Sequence, residues 1–271
     1  MAAGMKPLQP MEEKMNNDYL LGLLEQNKRV DGRKLDEYRK ISIETNVSKN
    51  AEGSARCKMG DTEVNVGVKM DVGEPYSDNP DEGSIIVTAE LSPIASPEFE
   101  LGPPGPWATE LARIIDRGIR ESKAIDFKSL CIKKGEKCWL VFIDIYPLND
   151  DGNLIDCCML AAMAALKSAR FAKLKDDGKV DFGEFTNKKI KLGKEPVTIT
   201  IYKSGKSLFL DPNSKEENAI DARLSIAIAD NKIHAMQKGG AMALSLEEIE
   251  SMLDLGFRKE KDLRKALDSV K

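Results

Sequence analysis

Arg113, Arg117 and Arg120 are spaced four and then three residues apart. On an α-helix that spacing brings them within about 60° of one another. Guanidinium groups stay charged at physiological pH, and their planar fork grips phosphate oxygens in pairs. Such a ridge suits a nucleic-acid backbone, where contacts position a strand without reading its sequence. The same residues also fit a solvated helix face laced by Asp116–Arg120 and Arg117–Glu121 pairs. A second candidate is the turn from Asp150 to Asp156, because the helix that follows it would offer free N–H groups to an anion. Here Asp150, Asp151 and Asp156 surround Gly152-Asn153-Leu154. Carboxylates so close together repel phosphate, and no cation stands in the turn to offset them. The acids are read instead as stabilising a helix start. Asp211, followed by Pro212, is read as a turn former rather than a catalytic acid.

Other chemistries are poorly supplied. His234 is the single histidine, and Cys57, Cys131, Cys138, Cys157 and Cys158 form neither a CxxC pair nor a Cys/His ligand set. Zinc binding and Ser/His or Cys/His nucleophiles are therefore not expected, nor is any metal or cofactor. The cysteines read as small core residues, and His234 as a structural or surface side chain. A net charge of −4 argues against a broadly basic nucleic-acid binder, so RNA contact requires a local patch. No apolar run approaches the roughly 20 residues that cross a bilayer. Met1 to Asn16 lack a signal-peptide core, and a cytoplasmic location is expected.

The elements that must position these residues follow from periodicity. A short helix around Tyr19 to Glu25 follows a polar arm. Lys40 to Val47 alternates as a strand, and Ala55 to Met59 with Glu63 to Met70 form a hairpin about Gly60-Asp61. Ser84 to Glu90 is strand-like, whereas five prolines forbid regular structure over Ser92 to Pro106. Thr109 to Ser122 predicts a helix with Leu111, Ile114, Ile115, Gly118 and Ile119 on the face opposite the arginines. Trp139 to Tyr146 reads as a strand buried on both sides. Beyond it lies an alanine-rich helix over Asp156 to Lys167. Asp176 to Glu195 is polar and rich in Gly and Lys, and is read as a linker or long loop. Alternating strands resume over Val197 to Met236, and Ser245-Leu246-Glu247-Glu248 opens the last helix with a capping box. Each half thus pairs strands with a sheet-packing helix, as an α+β or α/β protein of two lobes with a boundary near Lys194.

From Arg29 to about Gly256 the chain resembles the RNase PH family. Arg29-Val30-Asp31-Gly32-Arg33 with Glu37 and Arg39 is similar to its RxDGRxxxExR opening. Gly53-Ser54-Ala55-Arg56 leading to Gly60-Asp61-Thr62-Glu63-Val64 resembles its first hairpin. Pro80-Asp81-Glu82-Gly83, Leu91 to Pro97 and Gly102-Pro103-Pro104 look like the non-catalytic ring subunits of archaeal exosomes, as does the stretch Glu110 to Arg120.

The resemblance implies an α+β RNase PH-like fold of two similar sheet-and-helix lobes. Residues 1–28 would form an N-terminal arm and short helix, 29–194 the first lobe and 195–271 the second. It further implies a non-catalytic role beside a catalytic RNase PH-like sister subunit, in a ring of three heterodimers capped by trimeric RNA-binding subunits. That complex would degrade single-stranded RNA from the 3′ end with inorganic phosphate. Arg113, Arg117 and Arg120 would contact RNA phosphates. Arg29, Arg33 and Arg39 would touch RNA or form structural ion pairs at the ring interface. The Gly152-Asn153-Leu154 turn departs from catalytic relatives, which supply a hydroxyl residue and an arginine there. Asp211 keeps the first of two family acidic positions, and Glu217 stands at the second. A self-sufficient phosphate-dependent ribonuclease and a scaffold without RNA contact are the alternatives.

Overall fold

A computed structural model describes residues 10–176 and 178–270. Helix α1 (Pro10–Glu25) is followed by strands β1 (Ile41–Thr45), β2 (Gly53–Met59), β3 (Thr62–Gly73) and β4 (Ser84–Ala89). Helix α2 (Pro106–Glu121), a 3-10 turn at Phe127–Leu130, and strands β5 (Cys131–Lys133) and β6 (Lys137–Asn149) come next. Helix α3 (Leu154–Ser168) leads to β7 (Arg170–Leu174) and β8 (Val180–Lys189). The remaining elements are β9 (Val197–Ser204), β10 (Ser207–Leu210), the single turn α4 (Ser214–Glu217), β11 (Ala222–Ala229), β12 (Lys232–Gly239) and α5 (Leu246–Asp268).

The first sheet has the order β1-β2-β3-β6-β4, with β5 also paired to β6. All its pairings are antiparallel except β4 with β6. The second sheet is antiparallel with the order β10-β9-β11-β12. Helices α2 and α3 lie between the two sheets. Val64, Val66, Val68 and Met70 of β3 line the inner face of the first sheet and are buried. Across α3, Asp156 meets Thr200 of β9, and Gly118 of α2 faces Met159 of α3 and Ala227 of β11. On the far face of the second sheet, Gly256 of α5 packs on Ile201, Ile226 and Ile228. Sandwiching between sheets explains the composition of α3. Ala161, Ala162, Ala164 and Ala165 are all fully buried, because small side chains let both sheets approach one helix. Gly53 makes the tightest such contact, since a Cβ there would lie 2.4 Å from the Ala165 carbonyl oxygen.

Several expectations are corrected. Helix α2 starts at Pro106 rather than Thr109, because proline is tolerated at the first helical position, where no N–H is needed. Helix α1 starts at Pro10, ahead of the expected Tyr19; the arm read before it falls partly on residues 1–9, outside the described residues. Strand β6 is buried on one face only: Val141, Ile143 and Ile145 are buried, whereas Leu140, Phe142 and Asp144 are half-buried on the other. The stretch read as a linker contains β8, which pairs with β7 in a separate two-stranded ribbon. A ribbon exposed along most of its length needs few apolar side chains. Its anchors are Phe171, Ala172 and Val180. The last helix opens as expected, with Ser245 and Glu248 capping each other's backbone.

Candidate functional site

The turn between β6 and α3 is built on two consecutive left-handed residues, Gly152 (φ 82°) and Asn153 (φ 56°). A Cβ on Gly152 would lie 2.6 Å from the Pro212 carbonyl oxygen, so only glycine lets the two loops touch. Just before α3, the Asn153 N–H turns toward the loop after β10 and meets the chain's own carboxyl group. The Asn153 N–H donates to Glu217 Oε2 at 3.0 Å, and the Tyr202 hydroxyl lies 3.1 Å from Glu217 Oε1. Burial pushes the Glu217 carboxyl up to about 7. Asp156, one turn along, is fully buried and also pushed up by burial to about 7, against the hydrogen bonds it accepts from Thr200.

A cation does stand at the turn, contrary to the sequence reading. The Arg39 guanidinium spans Asp151 and Asp211, with ion pairs of 3.0 and 2.7 Å. Its remaining donors meet the carbonyl oxygens of Asp151, Gly152 and Pro212. With every N–H committed inside the chain, Arg39 has none left for an external phosphate. The sequence named Arg39 in the opening motif but hid its place at this turn, because it lies 112 positions from Asp151.

Asp211 sits at the centre of the cluster, fully buried and in a left-handed conformation (φ 48°). Its carboxylate accepts from Arg33 at 2.9 Å, from the Arg39 side chain and backbone, and from Asn153 Nδ2 at 3.1 Å. It is a turn residue, as expected, and in addition the counter-charge of two arginines. Arg29 is buried, clasps Glu216 in a bidentate pair and donates to the Leu210 and Asp211 carbonyls. The opening motif therefore makes structural ion pairs within the chain, tying residues 29–39 to the loop after β10. Together these groups satisfy one another, with Arg33, Arg39 and Asn153 all donating to Asp211 within the chain.

On the other side of α3, the arginines of α2 divide. Arg113 and Arg117 are exposed, and among the described residues they make no hydrogen bond or ion pair. Arg120 is held: it forms the expected ion pair with Asp116 at 2.7 Å, donates to the Ile85 carbonyl and lies 5.6 Å over the Phe127 ring. The alternative Arg117–Glu121 pair does not form among the described residues. Leu111, Ile114, Ile115 and Ile119 are buried opposite the ridge, which fixes the helix without using the arginines. Arg223 of β11, not singled out in the sequence, pairs with Glu110 at 2.9 Å and stacks 4.9 Å from the Trp107 ring centroid. It was hidden because one charged residue at the start of a strand carries no periodic signal.

His234 is structural, with Nε2 3.3 Å from the Ala229 carbonyl oxygen. Four of the five cysteines are buried, and all are free. Among the described residues, no His/Cys/Asp/Glu group could hold a metal ion, and no helix is long and apolar enough to cross a membrane.

Residues 37–172 match the model of domain 1 of the 3′ exoribonuclease family, and residues 194–259 match its domain 2. The chain is 44% identical over 257 residues to the exosome complex component Rrp42 of Methanocella arvoryzae, covering 94% of this chain and 96% of the relative. It is likewise 44% identical to the Rrp42 component of Archaeoglobus fulgidus, covering 94% and 97%. Among solved structures it superposes on a chain of the Archaeoglobus fulgidus exosome with RNA bound to the active site. There the TM-score is 0.87 at 44% identity, over 94% of this chain and 98% of that one. An archaeal exosome core gives a TM-score of 0.83 at 40% identity, over 95% and 98%.

Proposed function

Because the chain belongs to the 3′ exoribonuclease (RNase PH) family, we propose that it is the non-catalytic ring subunit of an exosome, working beside a catalytic sister. The observation that carries this reading is the occupied turn at the start of α3. Phosphorolysis needs an anion pocket for the attacking phosphate. Here Glu217 takes the Asn153 N–H, and Arg39 and Asp211 neutralise each other. A carboxyl group where phosphate would bind disfavours an anion by filling the space and by taking the N–H donor.

The ridge supplies what the turn does not. Arg113 and Arg117 are charged, exposed and uncommitted, and they stand on a helix whose opposite face is locked in the core. They suit the phosphates of single-stranded RNA threaded toward a partner's active site. An acidic chain can thereby serve an RNA substrate through one local patch. Assembly as a ring of three heterodimers beneath trimeric RNA-binding caps, in the cytoplasm, belongs to the same proposal.

The test is phosphate-dependent decay of a 3′-labelled RNA by the full chain alone and after co-expression with a catalytic RNase PH-like subunit. Decay by the mixed assembly and none by the lone chain is the expected result. Nucleoside diphosphate release by the lone chain would overturn the proposal.

A further inference from the structure

Cys131 of β5 and Cys138 of β6 stand directly opposite each other as register partners in an antiparallel pair. Register partners point to the same face of a sheet, so the two thiols share one side. The Cys131 N–H is spent on the Lys128 carbonyl oxygen at the end of the 3-10 turn. The pair therefore does not exchange both backbone N–H bonds, which marks it as the closer of the two antiparallel arrangements. Cα atoms in that arrangement lie about 4.5 Å apart, inside the roughly 4.4–6.8 Å that a disulfide spans.

The backbone is held on both sides of the pair. Leu130 and Trp139, the residues just outside it, close on Gly83, where a Cβ would lie 2.5 Å from the Leu130 Cβ and from the Trp139 carbonyl oxygen. At the far end of the hairpin the Gly135 N–H donates to the Pro80 carbonyl oxygen at 2.7 Å. Both cysteines are free, Cys131 half-buried and Cys138 buried. The other three, Cys57, Cys157 and Cys158, are fully buried. Among the described residues the two thiols belong to no group of three or more His, Cys, Asp or Glu side chains that could hold a metal ion.

We propose that Cys131 and Cys138 are a redox-sensitive pair that closes reversibly into a cross-strand disulfide, with a low-molecular-weight disulfide as the oxidant. Cys131, the more exposed of the two, attacks one sulfur of the small disulfide as its thiolate; that S–S bond breaks and one small thiol leaves. Cys138 then gives up its proton and attacks Cys131 Sγ, expelling the second small thiol. Two protein thiols lose two electrons and become one disulfide. The small disulfide gains those electrons and leaves as two thiols carrying the two protons. Burial, with Cys131 beside it, raises the Cys138 thiol above its ordinary value, so the second step quickens as pH rises. The closed pair ties β5 to the long strand β6, and a reducing environment reopens it. Stability of this hairpin thereby follows the redox state of its surroundings.

The full chain, reduced and freed of reductant, is treated with oxidised glutathione at pH 8, then denatured, alkylated and weighed. All five cysteines alkylate before treatment; only Cys57, Cys157 and Cys158 should alkylate after it, with a non-reduced tryptic peptide joining Cys131 to Cys138. Dithiothreitol should restore all five. The closed chain should melt higher by roughly 3–8 °C, because the unfolded chain loses freedom. Cys138→Ser should stop at one glutathione adduct on Cys131, and Cys131→Ser should not react. A wild-type chain that stops at the glutathione adduct, fails to react, or links Cys131 to a second chain would overturn the inference. So would a bond to Cys57, Cys157 or Cys158, or a closed chain that melts lower than the reduced one.

Discussion

Glu217→Gln is the substitution that tests most directly how the closed turn works. Burial holds the Glu217 carboxyl near 7, against an ordinary value of 4.5. The folded chain therefore keeps the proton that the unfolded chain gives up. Stability from this group is fully present below about pH 4.5 and is lost as pH rises through about 7. At 1.36 kcal/mol per pH unit of displacement, that difference amounts to about 3 kcal/mol by pH 8, as an upper bound. Glutamine removes the charge and keeps the geometry. Its Oε1 accepts from the Asn153 N–H, and its amide donates to the Tyr202 hydroxyl, which then turns its proton to Asn153 Oδ1, 3.2 Å away. Wild type and Glu217→Gln should be equally stable at pH 4.5. At pH 8 the variant should be more stable by up to about 3 kcal/mol, raising Tm by roughly 2–4 °C per kcal/mol. Thermal unfolding at half-unit intervals from pH 4.5 to 8.5 measures it. Asp156, also raised to about 7, retains a slope of its own in the variant, so the difference between the two proteins is the quantity to read. A variant less stable than wild type at pH 8 would refute the reasoning. It would mean that Glu217 is ionised and that an anion at the start of α3 outweighs its desolvation.

Asp211→Asn should destabilise the fold by about 1.5–3 kcal/mol, the usual worth of a hydrogen bond to a charged group, because Arg33 and Arg39 lose their shared counter-charge and keep only Asp31 and Asp151. RNA decay per assembled ring should stay near wild type at 25 °C, so urea unfolding read beside a decay assay separates a structural role from a catalytic one. Arg113→Ala/Arg117→Ala should weaken RNA binding tenfold or more and flatten its salt dependence, as fewer counterions are released. Filter binding at several ionic strengths checks this, and wild-type affinity would return the ridge to a solvated face. Arg120→Ala should affect RNA binding less, because its guanidinium is already committed to Asp116 and Ile85. Gly53→Ala should cost about 1–3 kcal/mol, typical of overpacking, since its Cβ would meet the Ala165 carbonyl oxygen and the Ala169 Cα; the shift in the unfolding midpoint reports it.

Local signals in this chain were sufficient wherever one segment carried the whole pattern. The β2–β3 hairpin follows from alternation about Gly60-Asp61, and the α5 start from Ser245 and Glu248, because both motifs close within a few residues. The buried face of α2 was legible because helical spacing repeats inside the segment. So was the ordered run of short motifs from Arg29 onward that marks the family. Elements whose stability is tertiary escaped. Strand β8 looked like a linker because a solvent-exposed ribbon needs few apolar residues, and α4 escaped as a single turn locked by Asn213, Glu216 and the distant Arg29.

The chemistry of the site divides in the same way. Composition and spacing alone determined that a single histidine and scattered cysteines offer no Cys/His ligand spacing and no ready Ser/His or Cys/His pair. They also showed that its α2 arginines share one face and that acids crowd the turn before α3. Only the tertiary structure decided which charges are free. Charge is a property of residue type, but availability depends on what the folded chain brings within hydrogen-bond reach. Arg39 and Arg120 are spent on internal carboxylates and carbonyls, whereas Arg113 and Arg117 remain open. Glu217, 64 residues from Asn153, fills the turn from outside its own segment. Such contacts depend on the packing of two sheets around α3, and no periodicity along the chain encodes them.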